Sequence, residues 1–470
     1  MEKNRCFDGI KFVVLLGVLS GCQVADTDRL KDATSTVFKS ITEQVTPAVS
    51  FENSVLDENR DGPTSLIDML DGSLAEKNLG SNFSSVIENA LKIDPVIIAE
   101  RSEIDAKMAA VGSTEAQKDF QISSSILGGI EDITDRTTGI AITLNASRLL
   151  YDGGLIDAQV ASAQYSAEAA RLGFMATIDE RALRLTHLWV ELEKYETLKK
   201  KIDSRLAVLD PLIEQLDQVA KAGIGDLSKV TAAQRTVSAI RVTETNISER
   251  LATAKLDFVN AFGALAEDVS YNTDFVGNLL PKDIDDSLIQ KSPLLMAQYA
   301  NYKGSLARVH SIQAKGDFNV GFEARAMRPF AGSGHDSDES VGFVARKTLF
   351  NDKMLESELK EAEAQVAKVA AQIRATFREG VRTIDAAQQN IESMDKAIDL
   401  ARENASITAD EIVYLKQQLV IGGSTLDSVL SAEARLYDAE SNEINFLAER
   451  RKSQLVILSA LGLLSRSFDL

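Results

Sequence analysis

The stretch Gly422-Gly423-Ser424-Thr425-Leu426-Asp427-Ser428-Val429 repeats Gly223-Ile224-Gly225-Asp226-Leu227-Ser228-Lys229-Val230, 199 residues earlier in the chain. The offset holds on both sides. Ala233, Glu244, Asn246, Ala261, Gly263 and Leu265 meet Ala432, Glu443, Asn445, Ala460, Gly462 and Leu464, and Leu150-Tyr151 meets Leu349-Phe350. Further upstream, Pro95 meets Pro293 and Asp119-Phe120 meets Asp317-Phe318 at a shift of 198, so one residue of slack falls in a loop between. A period this long is not that of a solenoid; it marks a duplicated, domain-sized unit.

Within each unit the apolar period changes twice. Residues 84–118 carry Val86, Ala90, Ile93, Ile97, Ile104, Met108 and Val111 at mostly three- and four-residue spacing, which predicts one amphipathic helix. From Phe120 to Ile126, and again from Ile140 to Ala146, the alternation is of period two around a polar stretch, which predicts a β-hairpin over 120–150. The stripe from Leu185 through Leu192, Leu198 and Leu209 to Val219 predicts a long helix over about 154–220, kinked or broken at Pro211. A glycine turn at 223–225 and a helix over about 226–263 close the unit. The second unit copies this order: helix about 292–315, strands within a hairpin at 318–350, long helix about 352–418, turn at Gly422-Gly423, helix about 425–463.

Composition limits what such a chain can do. Of 470 residues 44% are hydrophobic, enough to bury a core, so disorder as the main state is excluded. Lys and Arg total 51 against 70 Asp and Glu, a net charge of -19, which makes nucleic acid an improbable partner. Cys6 and Cys22 both lie near the start, so no disulfide framework is available. His187, His310 and His335 are the histidines, none at metal-ligand spacing with another. No nucleophile elbow, phosphate loop or zinc-protease helix is present. The chain is expected to be no enzyme, with no cofactor and no metal.

The N-terminus reads as an address. Basic residues Lys3 and Arg5 precede an apolar run from Phe12 to Val18, too short to span a bilayer, and Leu19-Ser20-Gly21-Cys22 matches a lipoprotein cleavage box. The expectation is a signal peptide over 1–21 and a lipid on Cys22, with Gln23 favouring the outer membrane. Residues 22–80 then form a lipid-anchored extension, 81–265 and 292–464 the two repeats, 266–291 an inter-repeat linker and 465–470 a short tail.

The elements constrain one another. A helix of about 66 residues is about 100 Å long, so it must run beside other helices in coiled-coil fashion. Strands of about ten residues suit a tilted crossing of the outer membrane. Four of them cannot close a barrel, and an open sheet edge in lipid is prohibitively costly. More than one chain must therefore share a barrel. A periplasmic coiled-coil spacer carrying two soluble hairpins, with no pore, is the alternative left open.

The lipid box, the duplicated order of elements, the phrases Ala222-Gly223-Ile224-Gly225-Asp226-Leu227 and Ile421-Gly422-Gly423-Ser424-Thr425-Leu426, and the ending Ser459-Ala460-Leu461-Gly462-Leu463-Leu464 together resemble the TolC family of outer-membrane channel-tunnels over about residues 81–465. The resemblance implies a mixed α and β membrane protein, a homotrimer whose pooled strands form one transmembrane barrel of twelve and whose helices form a periplasmic α-helical barrel. It implies export, in which the trimer docks on a periplasmic adaptor and an inner-membrane ABC or proton-driven pump. Gly223, Ile224, Gly225, Asp226, Leu227, Gly422, Gly423, Ser424, Thr425 and Leu426 would then form adaptor-contacting tip turns. Ser428 and Ser431 stand where the family often has aspartates at the closed entrance, with Asp427 beside them. Ser424 and Lys229 stand where some members carry a latch arginine and its acidic partner, so a closed state here must be held by other contacts. Glu131, Asp132, Asp135, Asp336, Asp338 and Glu339 would make an acidic extracellular mouth that favours cations.

Overall fold

The computed structural model describes residues 83–130, 138–222, 227–265, 279–329, 338–347 and 352–468. The signal sequence, Cys22 and the extension up to residue 80 lie outside the described residues, as do residues 266–278 of the linker 266–291, the first glycine turn and both hairpin loops.

The first repeat runs α1 (Phe83–Lys92), α2 (Pro95–Glu115), β1 (Gln121–Ile130), β2 (Thr138–Tyr151), α3 (Leu155–Ala222) and α4 (Leu227–Phe262). A five-residue helix, α5 (Asp286–Gln290), precedes α6 (Pro293–Ala314), β3 (Asn319–Pro329), β4 (Asp338–Arg346), α7 (Asp352–Val420) and α8 (Leu426–Ala460). Two expectations need correction. The helix predicted over 84–118 is two helices, because Asp94 caps Val96 N–H at 2.8 Å and Pro95 occupies the first turn, where its missing donor costs nothing. Pro211, expected to kink α3 or mark a local break, does not break it: it is carried inside one helix of 68 residues, with Leu209 buried beside it. The linker holds α5, whose cap Asp285 accepts from Leu288 N–H.

The two hairpins form one antiparallel sheet in the order β1-β2-β3-β4, joined between the repeats by β2 and β3. β1 and β4 are its free edges among the described residues. Below the sheet, α2 and α4 both pack along α3, and α6 and α8 both pack along α7. The repeats join where α6 and α8 pack on α3. The largest core cluster surrounds Trp189, whose ring meets Phe83, Phe258 and Phe262 edge-on at 4.9 to 6.1 Å. It draws on α1, α3, α4, α8 and the C-terminal residues Leu464 and Phe468.

Paired glycines close the shorter helices. Gly263 and Gly462, repeat partners in the sequence, both have left-handed φ, +85° and +70°. At Gly462 the chain also passes so close to α6 that an added Cβ would lie 2.0 Å from Pro293 Cδ, so only glycine fits.

Candidate functional site

The sheet has two chemically opposite faces. Directly opposed residues share a face, so the register fixes them row by row. One face carries Ile122-Ala146-Ala324-Val341 across the four strands, with Ile126, Ile142 and Leu144 nearer the loops and Phe322 and Phe343 nearer the helices. The other carries Ser123-Asn145-Arg325-Ser340, with Ser125, Thr143, Ser147 and Glu323. The apolar face is open within the chain, with Ile126 72% and Phe343 76% exposed; Ser123, Ser125, Arg325 and Ser340 of the polar face are exposed as well, and Thr143 there is buried. A water-soluble sheet buries its apolar face; this one leaves it uncovered. On the polar face Arg346 grips Glu323 with two hydrogen bonds, at 2.5 and 3.0 Å.

The helices repeat the theme. In the lower half of α7 the residues Ile384, Ala387, Ile391, Met394, Ile398, Ala401, Ala405, Thr408, Ile412 and Leu415 alternate at three and four residues, a heptad seam of buried and half-buried side chains with α8 packed alongside. A second stripe on α7, Leu400, Ile407 and Tyr414, continued by Ile421 just past the helix end, recurs every seven residues and is exposed. α3 pairs with α4 and α7 with α8, and α8 joins the two pairs, so α4 and α7 are the outer members. On α4, Val242, Glu249 and Leu256 are exposed at the same seven-residue spacing.

The turn between α7 and α8 is the tip of the described helices. Gly423 N–H donates to Gln418 O at 2.8 Å and Gly422 N–H to Leu419 O at 3.3 Å, with Gly422 at φ +77°: a Schellman closure. Ser424 Oγ then donates to Leu415 O, and Thr425 caps α8 by accepting from Ser428 N–H at 3.2 Å. Asp427 in the first turn complements the helix dipole and accepts from Thr236 Oγ1 of α4 at 3.2 Å, so its carboxylate is engaged within the chain. Ser428 and Ser431 are half-buried, and Lys229 is exposed with no ion pair among the described residues. Gly223, Ile224, Gly225 and Asp226 lie outside the described residues, and Leu227 begins α4.

Of the mouth residues, Glu131, Asp132, Asp135 and Asp336 also lie outside them. Asp338 and Glu339 belong to β4 rather than to a loop, and Glu339 is paired with Arg328 at 2.7 Å. That pairing removes one of the charges counted for the mouth.

Sequence reasoning missed an ion cluster above the tip. Glu433 of α8, its side chain 1% exposed, accepts from Arg205 of α3 at 3.1 Å and Lys416 of α7 at 2.8 Å. Glu440 accepts from the same Arg205 at 2.9 Å and from Lys201 at 3.1 Å. The signal was available: Glu433 interrupts the apolar spacing of Leu430 and Tyr437, where a carboxylate needs partners. Asp179 of α3 is also buried; Oδ1 accepts from Ser465 N–H at 2.7 Å and Oδ2 has no hydrogen-bond partner. Burial pushes its carboxyl up to about 6.

Among the described residues no helix is long and apolar enough to cross a membrane, and no cluster of acidic, histidine and cysteine side chains could hold a metal. Residues 287–463 match the family model for outer membrane efflux proteins. The outer membrane protein TolC of Vibrio cholerae is 22% identical over 418 residues, covering 84% of this chain and 93% of that one. The fold is similar to that of CusC, solved in studies of transmembrane channel formation, with a TM-score of 0.71 at 13% identity over 82% of this chain and 93% of that one. It is similar also to the outer membrane protein VceC of Vibrio cholerae, with a TM-score of 0.69 at 18% identity over 80% and 95% of the two chains.

Proposed function

We propose that the chain, similar over most of its length to the TolC family of outer-membrane efflux channels, works as one of them, three copies assembling into one continuous duct from the periplasm to the cell exterior. The observation that carries this reading is the two-faced sheet, whose apolar face no part of the described chain covers, with β1 and β4 left unpaired. In hydrocarbon each free edge would strand a row of backbone donors and acceptors, at several kcal/mol per group. Pairing β4 of one copy with β1 of the next removes both edges, and three copies of four strands make a barrel of twelve. The helices support the same operation, because the exposed stripe on α7 and that on α4 lie on opposite outer members of the bundle. A contact between unlike surfaces repeats head to tail and closes into a ring when its rotation is a third of a turn.

The interior is then lined by Ser123, Asn145, Glu323 and Arg325 in the membrane and by helices below it. Nothing in such a duct needs to break a bond; its work is to exclude lipid and conduct cargo, and no catalytic role is assigned to any residue. At its periplasmic end the turn Gly422–Leu426 and its partner at 223–227 present the surface for a helical adaptor, which links the duct to an inner-membrane ABC or proton-driven pump carrying efflux or type I secretion cargo. Cys22 ties the N-terminal extension to the inner leaflet by its lipid. Asp427 stays available as a tip carboxylate, with its second oxygen free of the Thr236 bond. The acidic mouth draws on Glu131, Asp132, Asp135, Asp336 and Asp338, with Glu339 offset by Arg328.

Planar-bilayer recording of the purified, unheated oligomer tests the reading. Discrete conductance steps, together with a species that falls to monomer mobility only on heating, are expected. A monodisperse monomer that leaves the membrane once its lipid is removed would instead establish the spacer.

A further inference from the structure

The outward face of the sheet carries two cations with no acidic partner, and both lie at its helix-proximal end. Arg148 of β2 stands directly opposite Phe322, which stands opposite Phe343. Its guanidinium carbon is 5.2 Å from the centre of the Phe120 ring, and Phe120 meets Phe322 edge-on at 6.3 Å. Lys347, one residue past β4, holds its ammonium 4.9 Å over the ring of Phe318. A bulge after Leu149 turns Tyr151 to the same face, opposite Val320. Four exposed aromatic rings and two cations thus share one band.

Of the other strand cations, Arg325 lies on the polar face and has no ion pair among the described residues. Arg346 is tied to Glu323 on the polar face, and Arg328 to Glu339 at the outer rim. Arg148 and Lys347 have no carboxylate within ion-pair distance among the described residues, in a chain of net charge -19. An unpaired guanidinium facing a bilayer is costly unless an anion meets it there. The rings hold each cation flat against the sheet by cation–π attraction and leave its donors pointing outward. The anion that a membrane offers at the depth of an aromatic belt is a lipid phosphate, which matches the guanidinium fork.

We propose that Arg148 and Lys347 form a lipid-binding belt, each taking the phosphate of an anionic glycerophospholipid in the periplasmic leaflet. The leaflet follows from position: the band lies where the strands run into α2, α3, α6 and α7. The proposal rests on the apolar face meeting lipid, as the duct reading requires. It adds a ligand class and two binding residues to that reading. Phe120, Phe318 and Phe322 position the cations, while their edges meet the glycerol and first acyl carbons.

The test is native mass spectrometry of the full-length oligomer in detergent, titrated with phosphatidylglycerol or with phosphatidylcholine, for the wild type and for Arg148→Gln, Lys347→Gln and the double variant. The wild type should retain phosphatidylglycerol in preference to phosphatidylcholine. Each single substitution should weaken that retention about fivefold, the effect of one basic side chain near an anionic surface, and the double variant about 25-fold. Equal retention by wild type and double variant overturns the proposal. So does displacement of the lipid by millimolar inorganic phosphate, which would make the site one for free anions. Conductance is recorded on the same samples. Pores of normal conductance with unchanged lipid retention sink the belt alone, whereas a wild type that forms no pore sinks the duct and the belt together.

Discussion

Asp179 is 2% exposed in the middle of α3, and it fastens the chain's last turn by accepting from Ser465 N–H. Its backbone carbonyl also accepts from Ser459 Oγ at 3.2 Å. Desolvation is the largest influence on its carboxyl and raises it from 3.8 to about 6; the Ser465 donors and the Arg466 charge pull the other way. A carboxyl whose folded pKa is raised favours the fold below pH 3.8, and that contribution is lost as pH rises through about 6. Acidification from pH 7 to 4.5 should therefore raise stability, by at most about 3 kcal/mol from this group. His187, pushed down by burial and facing Lys452, Glu449 and Glu191, works in the opposite sense, losing its contribution as pH falls. Thermal midpoints measured across that range should show Asp179→Asn more stable than wild type at pH 7 and less sensitive to pH. A variant curve parallel to that of the wild type would mean the carboxyl is charged throughout. None of this was legible in the sequence, where Asp179 is one acid among 70 and its burial depends on a turn 286 residues away.

At the scale of elements, helix type and order were legible because period carries them: two to a strand, three or four to a helix. Boundaries failed where one residue outweighed the stripe. Pro95 divides a continuous apolar pattern into α1 and α2, since its own cap, Asp94, makes it a good start. Pro211 does not divide α3, because helices packed on both sides outweigh one missing hydrogen bond. Charge was misjudged for a related reason. Most carboxylates are spread over wet helical faces, but Glu433 sits inside a seam and binds Arg205 and Lys416 from two other helices. Removing it leaves Lys416, 41% exposed, without a partner while Arg205 keeps Glu440, so the cost stays below about 3–5 kcal/mol, that of a fully buried broken pair. Glu433→Ala should lower the thermal midpoint and expose the α7–α8 turn to trypsin. Replacing Glu433, Arg205 and Lys416 together by Leu, Met and Met should recover most of the loss. If Glu433→Ala is neutral, the cluster is solvated and adds little. Because the cluster joins α3, α7 and α8 just above the tip, it is also the contact that any splaying of that tip has to break.

At the scale of the whole molecule, the duplicated unit was legible from a constant offset, while the lateral order of its helices was not. The stripe Leu400, Ile407, Tyr414 and Ile421 is mixed in sequence with the seam that faces α8, and only the packing separates an inner set from an outer one. A helix with two seven-residue seams has a neighbour on each flank, as a stave does in a cylinder. In its lower half α7 has α8 as its neighbour within the chain and one flank of α4 stays bare, so the second seam calls for another copy. Ile407 separates folding from assembly, since it is exposed within a single chain and contributes little to that chain's own core. Ile407→Asp should leave helix content and monomer folding unchanged while placing an unpaired carboxylate at every copy of the interface, at about 2 kcal/mol or more each. Unheated electrophoresis and light scattering should then show monomer where the wild type and Ile407→Val give the oligomer, and bilayer conductance should fall with the oligomer fraction. An Ile407→Asp oligomer as robust as the wild type would place the neighbouring copy on some other face of α7, and the pairing of α7 with α4 around the ring would have to be abandoned.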